Sequence, residues 1–533
     1  MQEKENDDKT EVLIASIKEK IGFPVNQFVV QAIIESFGIR NIDVKTDYGK
    51  NSIKELGNYI YNQLITESPD TLKNENEKNL LEEEATISIS NYTVVKTKLF
   101  LKYFPSGLFH LFPVFLQIAA IVIFGYSLWT YLGFNELQST AVVFGVILGL
   151  VLTGGFVQVI GRQASFYWYH DDLTMVKKTI YKIIIDGIKA MLAVFIFIAI
   201  INFMVYLYPF QFLLIVFSYA LLIGVLLLFL APMHTIKKRW VVSVAILVGT
   251  ILAITLKTYT TLNIYLTHWI GIAMAISMMF FYLKFFFRKI EINKDNTIDS
   301  GLAIIYKNYS YFIYGTLVYV FVFTDRIIAW STSAREVPYI VYYEKNYEIG
   351  MDIAILVFLL LAGILEYNIA AFTKFLNLLI KSTPFNEYRK FNKRFYNAYW
   401  RQVGLLFLCS FIIFFIIYLA IVEPWGYEAY FKEPLSKLSV KVTILGAVGY
   451  TFFTWGMLNA LYLFTLNQPN SAVKAITIAI CVNIVVGILA SRIFSYENST
   501  WGMLIGSVIF MLITLKECLN FFKNLDYYYN ASH

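Results

Sequence analysis

Twelve apolar stretches separated by short loops run from about Leu108 to Leu519, behind 95 polar and acidic residues. Several of them exceed the ~18–20 residues that a helix needs to cross a bilayer. A chain of this pattern satisfies its backbone inside the hydrocarbon by forming helices. The spans read as 108–131, 138–160, 187–208, 211–231, 240–257, 262–285, 309–330, 349–371, 403–422, 440–466, 473–491 and 499–519. The expected fold is an all-α membrane protein of twelve transmembrane helices, with a small cytosolic, mainly helical N-terminal extension.

Composition narrows the classes. Charged residues make up 15% of the chain, against about a quarter in soluble domains. Many Tyr and Trp residues stand beside span ends, as interfacial anchors do. The net charge of +7 does not point to nucleic acid, because the basic residues cluster in short loops between apolar segments. That placement suits topology and anionic lipid head groups. Cys409, Cys481 and Cys518 all fall within spans, with no CxxC or Cys/His spacing. No metal, cofactor or disulfide framework is expected. The opening MQEKENDDKTE lacks the basic start and apolar run of a secretory signal, so the N-terminus is expected to stay in the cytoplasm.

The positive-inside rule then orients the chain. With the N-terminus inside, 26 Lys and Arg residues fall in inner segments and seven in outer ones: Lys257, Arg335, Lys345, Lys432, Lys437, Lys441 and Arg492. Both termini are expected to be cytoplasmic, in a multi-pass protein of the cytoplasmic membrane.

Two inner segments are long, basic and aromatic: GRQASFYWYHDDLTMVKK after span two, and FTKFLNLLIKSTPFNEYRKFNKRFYNAYWRQ after span eight. They hold equivalent places in two six-span halves. The connection between the halves, RKIEINKDNTIDSGLAIIYKNY, is polar. This is the loop pattern of a six-plus-six transporter. The expected division is 1–95 for the extension and its acidic linker, 96–290 for the first lobe and 291–533 for the second. In the extension, VLIASIKEKI, FVVQAIIESFG and SIKELGNYIYNQL carry apolar residues at three- and four-residue spacing. Pro24 and Gly38 break the first two, and Asn51 or Ser52 caps the third. Residues 67–84 read as a linker. No phosphate loop or catalytic pattern is visible, so the extension reads as a docking or regulatory module.

Ionisable residues inside a membrane cost ~2.5–3.5 kcal/mol each on insertion scales and face a cavity or a partner. Asp325 and Arg326 stand near the outer end of span seven, Asp352 near the outer end of span eight, and Glu366 towards its inner end. Asp352 and Glu366, 14 positions apart, lie within ~40° of one helix face and ~21 Å apart in rise. One reading is a polar path for substrate or coupling ion, with Arg326 as counter-charge. The other is a structural ion pair between Arg326 and Asp352. Glu366 is the stronger functional candidate, because no basic residue in its own span can neutralise it. His268 reads either as a proton site or as a hydrogen-bonded structural histidine. Gln158, Asn202, Asn459 and Asn483 read as interhelical glue. In span two, Gly145 and Gly149 permit close packing, and Gly154-Gly155 lowers resistance to bending. Close packing and a hinge are both open for that pair.

Twelve spans in two halves, a Gly-rich second span running into a basic segment, and charges on spans seven and eight resemble the multidrug/oligosaccharidyl-lipid/polysaccharide flippase superfamily. Within it, TGGFVQVIGRQASFYWYHDDL and YFIYGTLVYVFVFTDRIIAWST resemble the Pel-type exopolysaccharide transporters. The resemblance covers about 96–533. It implies alternating access around a central cavity lined by spans one, two, seven and eight, which places Arg162, Asp325, Arg326, Asp352 and Glu366 at or near it. The implied cargo is a lipid-linked or nascent polysaccharide, with no covalent catalysis. The implied setting is membrane lipid, a cytosolic glycosyltransferase and other membrane subunits of a synthase complex.

Other classes stand beside this reading. A membrane-embedded glycosyltransferase or polymerase needs a sizeable outer loop, and the longest here, STSAREVPYIVYYEKNYE and VEPWGYEAYFKEPLSKLS, have about 18 residues. A major-facilitator carrier is poorly matched after span two. A non-transporting scaffold subunit of a synthase complex is the third.

Overall fold

The computed structural model describes residues 2–21, 27–66, 100–105, 112–290, 300–332, 339–382, 388–423, 426–431, 433–465 and 467–523. The acidic linker at 67–84 lies outside them. Four helices come first: α1 (Gln2–Ile21), α2 (Gln27–Ser36), α3 (Asn41–Asp47) and α4 (Ile53–Thr66). They close on a small core of their own, with Ile17, Val30, Ile34, Val44, Leu56 and Ile60 fully buried. Ser52, one of the two expected caps, accepts the Glu55 amide at 3.2 Å at the start of α4. Gly38, at φ +81°, stops the chain after α2. Helix α3 was not expected. It is only seven residues long, and its sequence NIDVKTD contributes a single buried residue, Val44, too little to mark a helical face.

The membrane part continues with α5 (Phe112–Phe124), α6 (Glu136–Tyr169), α7 (Leu173–Val205), α8 (Phe210–Thr235), α9 (Trp240–Tyr259) and α10 (Ile264–Phe286). After a short connector, α11 (Gly301–Lys307), come α12 (Tyr309–Trp330), α13 (Lys345–Ser382), α14 (Tyr388–Val422), α15 (Tyr427–Phe431), α16 (Lys437–Thr465), α17 (Pro469–Ile493) and α18 (Thr500–Lys523). Among the described residues, eleven helices are long and apolar enough to cross a membrane, and α5 is a shorter apolar helix.

Span one differs from the expected 108–131. Helix α5 has 13 residues, or about 20 Å, and ends where Gly125 takes φ +64°. The chain then folds into a tight loop in which the Leu128 amide donates to the Gln117 side chain at 2.7 Å. Asn135 restarts the helix by accepting the Gln138 amide at 2.8 Å. The two long inner segments also differ from loops. After span two, α6 runs on to Tyr169, and Asp171 (φ 55°) makes the turn. Asp172 caps α7 by accepting the Met175 amide at 3.0 Å. After span eight, α13 and α14 extend in the same way to Ser382 and from Tyr388. Aromatic and basic residues are compatible with a helix that leaves the bilayer, so polarity alone did not mark where the helices end.

The two halves pack alike. In the first lobe α6 packs on α8, α9 on α10, α8 on α10 and α5 on α9. In the second, α13 packs on α16, α17 on α18, α16 on α18 and α12 on α17. These are the same pairings shifted by six spans. A core of α6–α10 residues centred on Ile183, Ala245 and Met279 fills the first lobe. Another, centred on Phe321, Leu361, Phe453 and Phe510, fills the second.

Glycines set how closely α6 approaches α8. A Cβ on Gly149 would stand 2.8 Å from the Ala220 carbonyl oxygen, whereas a Cβ on Gly161 meets nothing within 4 Å. Gly149→Ala is therefore expected to lower the thermal midpoint of the purified protein, at a cost of about 1–3 kcal/mol from overpacking. Gly161→Ala is expected to leave it unchanged or raise it, by up to about 1 kcal/mol of helix propensity. Equal effects of the two in a detergent melt would contradict this packing.

Candidate functional site

Helices α12 and α13 bring together three carboxylates and one guanidinium. Arg326 donates through Nη1 to Asp352 Oδ1 at 2.8 Å and, from the same nitrogen, to Glu348 Oε2. The indole of Trp330, four residues on, donates to Glu348 Oε1 at 2.8 Å. The Tyr347 hydroxyl donates to Asp325 Oδ2 at 2.6 Å. Arg326 and Glu348 are almost fully buried, at 5% and 2% side-chain exposure, while Asp352 is 65% exposed. The cluster thus reaches from the core of the second lobe to an accessible surface. Asp325 Oδ1, Arg326 Nε and the Tyr450 hydroxyl are all buried there, and the Tyr450 hydroxyl faces the guanidinium.

Burial of charge on this scale requires pairing. Three carboxylates face one arginine, so two negative charges remain uncompensated when all are ionised. A proton or a cation would relieve that excess. Among the described residues no group of three or more His, Cys, Asp or Glu side chains is arranged to hold a metal ion.

The sequence leaves open a polar path and an Arg326–Asp352 ion pair; the structure pairs Arg326 with Asp352, while Asp325 takes its hydrogen bond from Tyr347. Glu348 was missed. It falls one residue before the expected start of span eight and was read as loop, but the helix begins at Lys345. The signal was the i,i+4 spacing of Glu348 and Asp352, which stacks two carboxylates on one face.

The remaining carboxylate of α13 finds its partner outside its own span. Glu366 Oε1 lies 2.8 Å from Arg239 Nη1, with side chains 25% and 30% exposed. Arg239 precedes α9 and belongs to the first lobe. The premise that Glu366 lacks a neutralising residue holds only within its own span. A turn earlier, the chain at 100–105 packs on α13: a Cβ on Gly363 would stand 3.0 Å from the Phe104 carbonyl oxygen.

Helix α6 carries most of the junction between the lobes. Thr140, Phe144, Ile147, Val151, Gly154, Gln158 and Arg162 recur every three or four residues and so share one face. Thr140 and Arg162 are 22 positions apart, about 33 Å along the helix. At the end away from the basic segments, Thr140 Oγ1 accepts the Tyr343 amide at 3.1 Å and Phe144 meets Trp330 edge to face. There too the Tyr208 hydroxyl, in the α7–α8 turn, donates to the Val341 carbonyl at 2.9 Å. Burial pushes the Tyr208 hydroxyl above the ordinary tyrosine range, so it remains a donor.

In the middle, a Cβ on Gly154 would be 2.5 Å from the Gly315 oxygen, and one on Gly155 2.7 Å from the Phe312 oxygen. Both glycines let α6 touch α12, Gln158 lies against Gly315, and α6 runs unbroken through all three. At the basic end Arg162 donates to Asn467 Oδ1 at 3.3 Å and stands over the Tyr311 ring at 5.2 Å. Asn308 donates to Gln163 at 3.0 Å beside it.

His268 stands apart, in the first lobe. Its Nδ1 is 2.5 Å from the Tyr219 hydroxyl, its ring packs against Tyr126 and Phe134, and its Nε2 is buried with no hydrogen-bond partner among the described residues. Asn459 and Asn483 join helices: Asn459 accepts the Tyr399 hydroxyl at 2.8 Å, and Asn483 donates to the Phe321 carbonyl at 3.3 Å. Asn202 instead closes the α7–α8 turn by accepting the Tyr208 amide at 2.9 Å.

This arrangement of membrane helices in two lobes is the fold of MATE transporters. The chain is similar to the MATE transporter ClbM in complex with Rb+, at 15% identity and a TM-score of 0.51 over 81% of this chain and 97% of that one. It is similar to an inward-facing multidrug resistance MATE family transporter at 11% identity and a TM-score of 0.53, over 77% and 98% of the two chains. An outward-facing structure of such a transporter gives 12% identity and the same TM-score, over 80% and 98%. No protein-family model and no curated protein matches the chain.

Removing one partner of a buried ion pair leaves the other charge stranded, which costs about 3–5 kcal/mol. Arg326→Ala is expected to lower the thermal midpoint sharply. Adding Glu348→Gln to it is expected to recover part of that loss, because the stranded carboxylate is gone. A double variant no more stable than Arg326→Ala would show that the two residues are not coupled.

Proposed function

We propose that the chain moves a polysaccharide or lipid-linked glycan across the cytoplasmic membrane by alternating access, in exopolysaccharide export of the Pel type. The observation that carries the transport reading is the way the lobes meet. Separate, weak contacts hold them at the two ends of α6, with close helix packing between. The Arg239–Glu366 pair is partly exposed and worth about 0–1 kcal/mol. The opposite end relies on two aromatic pairs, Phe144–Trp330 and Tyr208–Tyr339, worth about 0.5–1.5 kcal/mol each, and two hydrogen bonds worth about 1 kcal/mol each. Neither end is held by a fully buried ion pair, so the lobes can part at one end while the other stays shut. The TM-score is the same against the inward- and the outward-facing structure.

In this reading the Asp325–Arg326–Glu348–Asp352 cluster is the coupling element. Its surplus of carboxylates takes up a proton or cation in one state and loses it in the other, shifting how Arg326 is shared. Glu366 serves the basic-end gate together with Arg239, and Arg162 stands at the same end. The glycan assignment rests on the likeness of 153–173 and 311–332 to the Pel-type transporters. Both termini and the basic segments then face the cytoplasm, where the N-terminal module recruits the glycosyltransferase or other synthase subunits.

Polymer secretion by cells expressing variants tests this reading. Glu366→Gln and Arg326→Ala, at normal protein levels, are each expected to cut secretion at least tenfold, and intact secretion from both would end the charged-path account. Thiol cross-linking of a Thr140→Cys/Tyr343→Cys pair, or of an Arg239→Cys/Glu366→Cys pair, is expected to stop export until reduced. Export that continues with either end locked argues against alternating access. Sugar transfer from a nucleotide or lipid donor by the purified chain alone would favour a transferase instead.

A further inference from the structure

Helices α14 and α18 leave a groove of about 620 Å3 on the outside of the second lobe, at its basic end. It is lined by Lys393, Lys516 and Lys523 together with Tyr396, Leu515 and Leu519. The Asn392 side chain donates to the Lys523 carbonyl at 2.8 Å and pins the two helices at the mouth. On α18, Leu512, Leu515, Lys516, Leu519 and Lys523 fall within about 100° of helix surface, so lysines and leucines share one stripe. Leu512 lies about 16 Å below Lys523 along the axis.

The surroundings say what such a stripe meets. Only 11% of the apolar window of α14 is buried, so this helix faces lipid. Leu512 is 48% exposed and Tyr396 44%. None of the three lysines makes an ion pair among the described residues. The nearest acid on α18, Glu517, stands about 140° round from Leu512, off the stripe. Three ammonium groups with no ion pair among the described residues, at one end of a leucine stripe on a helix long and apolar enough to cross a membrane, match one kind of molecule. It has an anionic phosphate head and acyl chains.

We propose that this groove binds an anionic phospholipid, with the phosphate between Lys393, Lys516 and Lys523 and an acyl chain along Leu519, Leu515 and Leu512. Lys516 reaches up from the wall by laying its methylenes along the leucines. A soluble phosphate would use the lysines but not the leucine channel, and a zwitterionic lipid would use the channel but leave the charge excess uncompensated. The site is independent of the transport reading, because it lies on the outer face of one lobe.

The experiment uses the full chain purified in an uncharged detergent, with phosphatidylglycerol, phosphatidylcholine or inorganic phosphate added. Lipid retention is read by native mass spectrometry and stabilisation by thermal melting. Phosphatidylglycerol is expected to be retained and to raise the midpoint, and the other two are not. Each lysine near an anionic head is worth roughly fivefold in affinity, so Lys393→Gln/Lys516→Gln/Lys523→Gln together are expected to weaken phosphatidylglycerol binding by about 100-fold. Leu519→Trp, which fills the channel, is expected to lose lipid while keeping all three charges. Equal effects of phosphatidylcholine, or of phosphate alone, on the unaltered chain would overturn the proposal without any variant. Undiminished retention by the triple variant would do so as well.

Discussion

Close approach of α6 to two helices at once is the constraint on which the rest depends. On one side Gly145 and Gly149 lie against α8 of the same lobe, and on the other Gly154 and Gly155 lie against α12 of the second lobe. Two helices separated by ordinary side chains sit 8–10 Å apart, and small residues at the contact let backbones come closer. In a bilayer the lipid tails are as apolar as leucine, so burial alone does not hold helices together. Packing of this kind makes α6 a member of one lobe and, at the same time, the surface along which the other lobe rests.

Polar contacts are then distributed by how firmly each part is held. The deep pair, Arg326 with Glu348, lies within one lobe, where both residues are buried and neither can leave without a stranded charge. The pairs between lobes are partly exposed or involve neutral groups, as with Arg239–Glu366, Arg162–Asn467 and Tyr343–Thr140. Strong interactions inside the lobes and weak ones between them are what two bodies need if they are to move as units. Asp352 links the two regimes: it shares the guanidinium of Arg326 yet remains largely exposed.

Much of the membrane part was legible because hydrocarbon imposes length and apolarity directly on sequence. Eleven of the expected spans reappear as long helices, and the Tyr208-Pro209 break between spans three and four falls where the backbone turns. The misreadings share a cause. The expected span one is too long because apolar residues continue through Tyr126 and Leu128, which the structure buries in the loop that follows Gly125. The segment after span two was drawn as loop because it is polar and aromatic, although helix formation there needs only a turn at Asp171. Glu348 was lost for the same reason, since a charge at a span's edge looks like the end of the span.

The number of spans and their grouping in two sixes were set by the sequence alone, because they follow from hydropathy and from the pattern of the loops. Tertiary structure alone decided that Glu366 meets Arg239 from the other lobe, that Gly154 and Gly155 serve a junction between lobes, and that lysines of α14 and α18 share one groove. Those pairings join residues 127, 161 and 130 positions apart. Periodicity records which face a side chain occupies on its own helix. It carries no record of which distant helix will pack there.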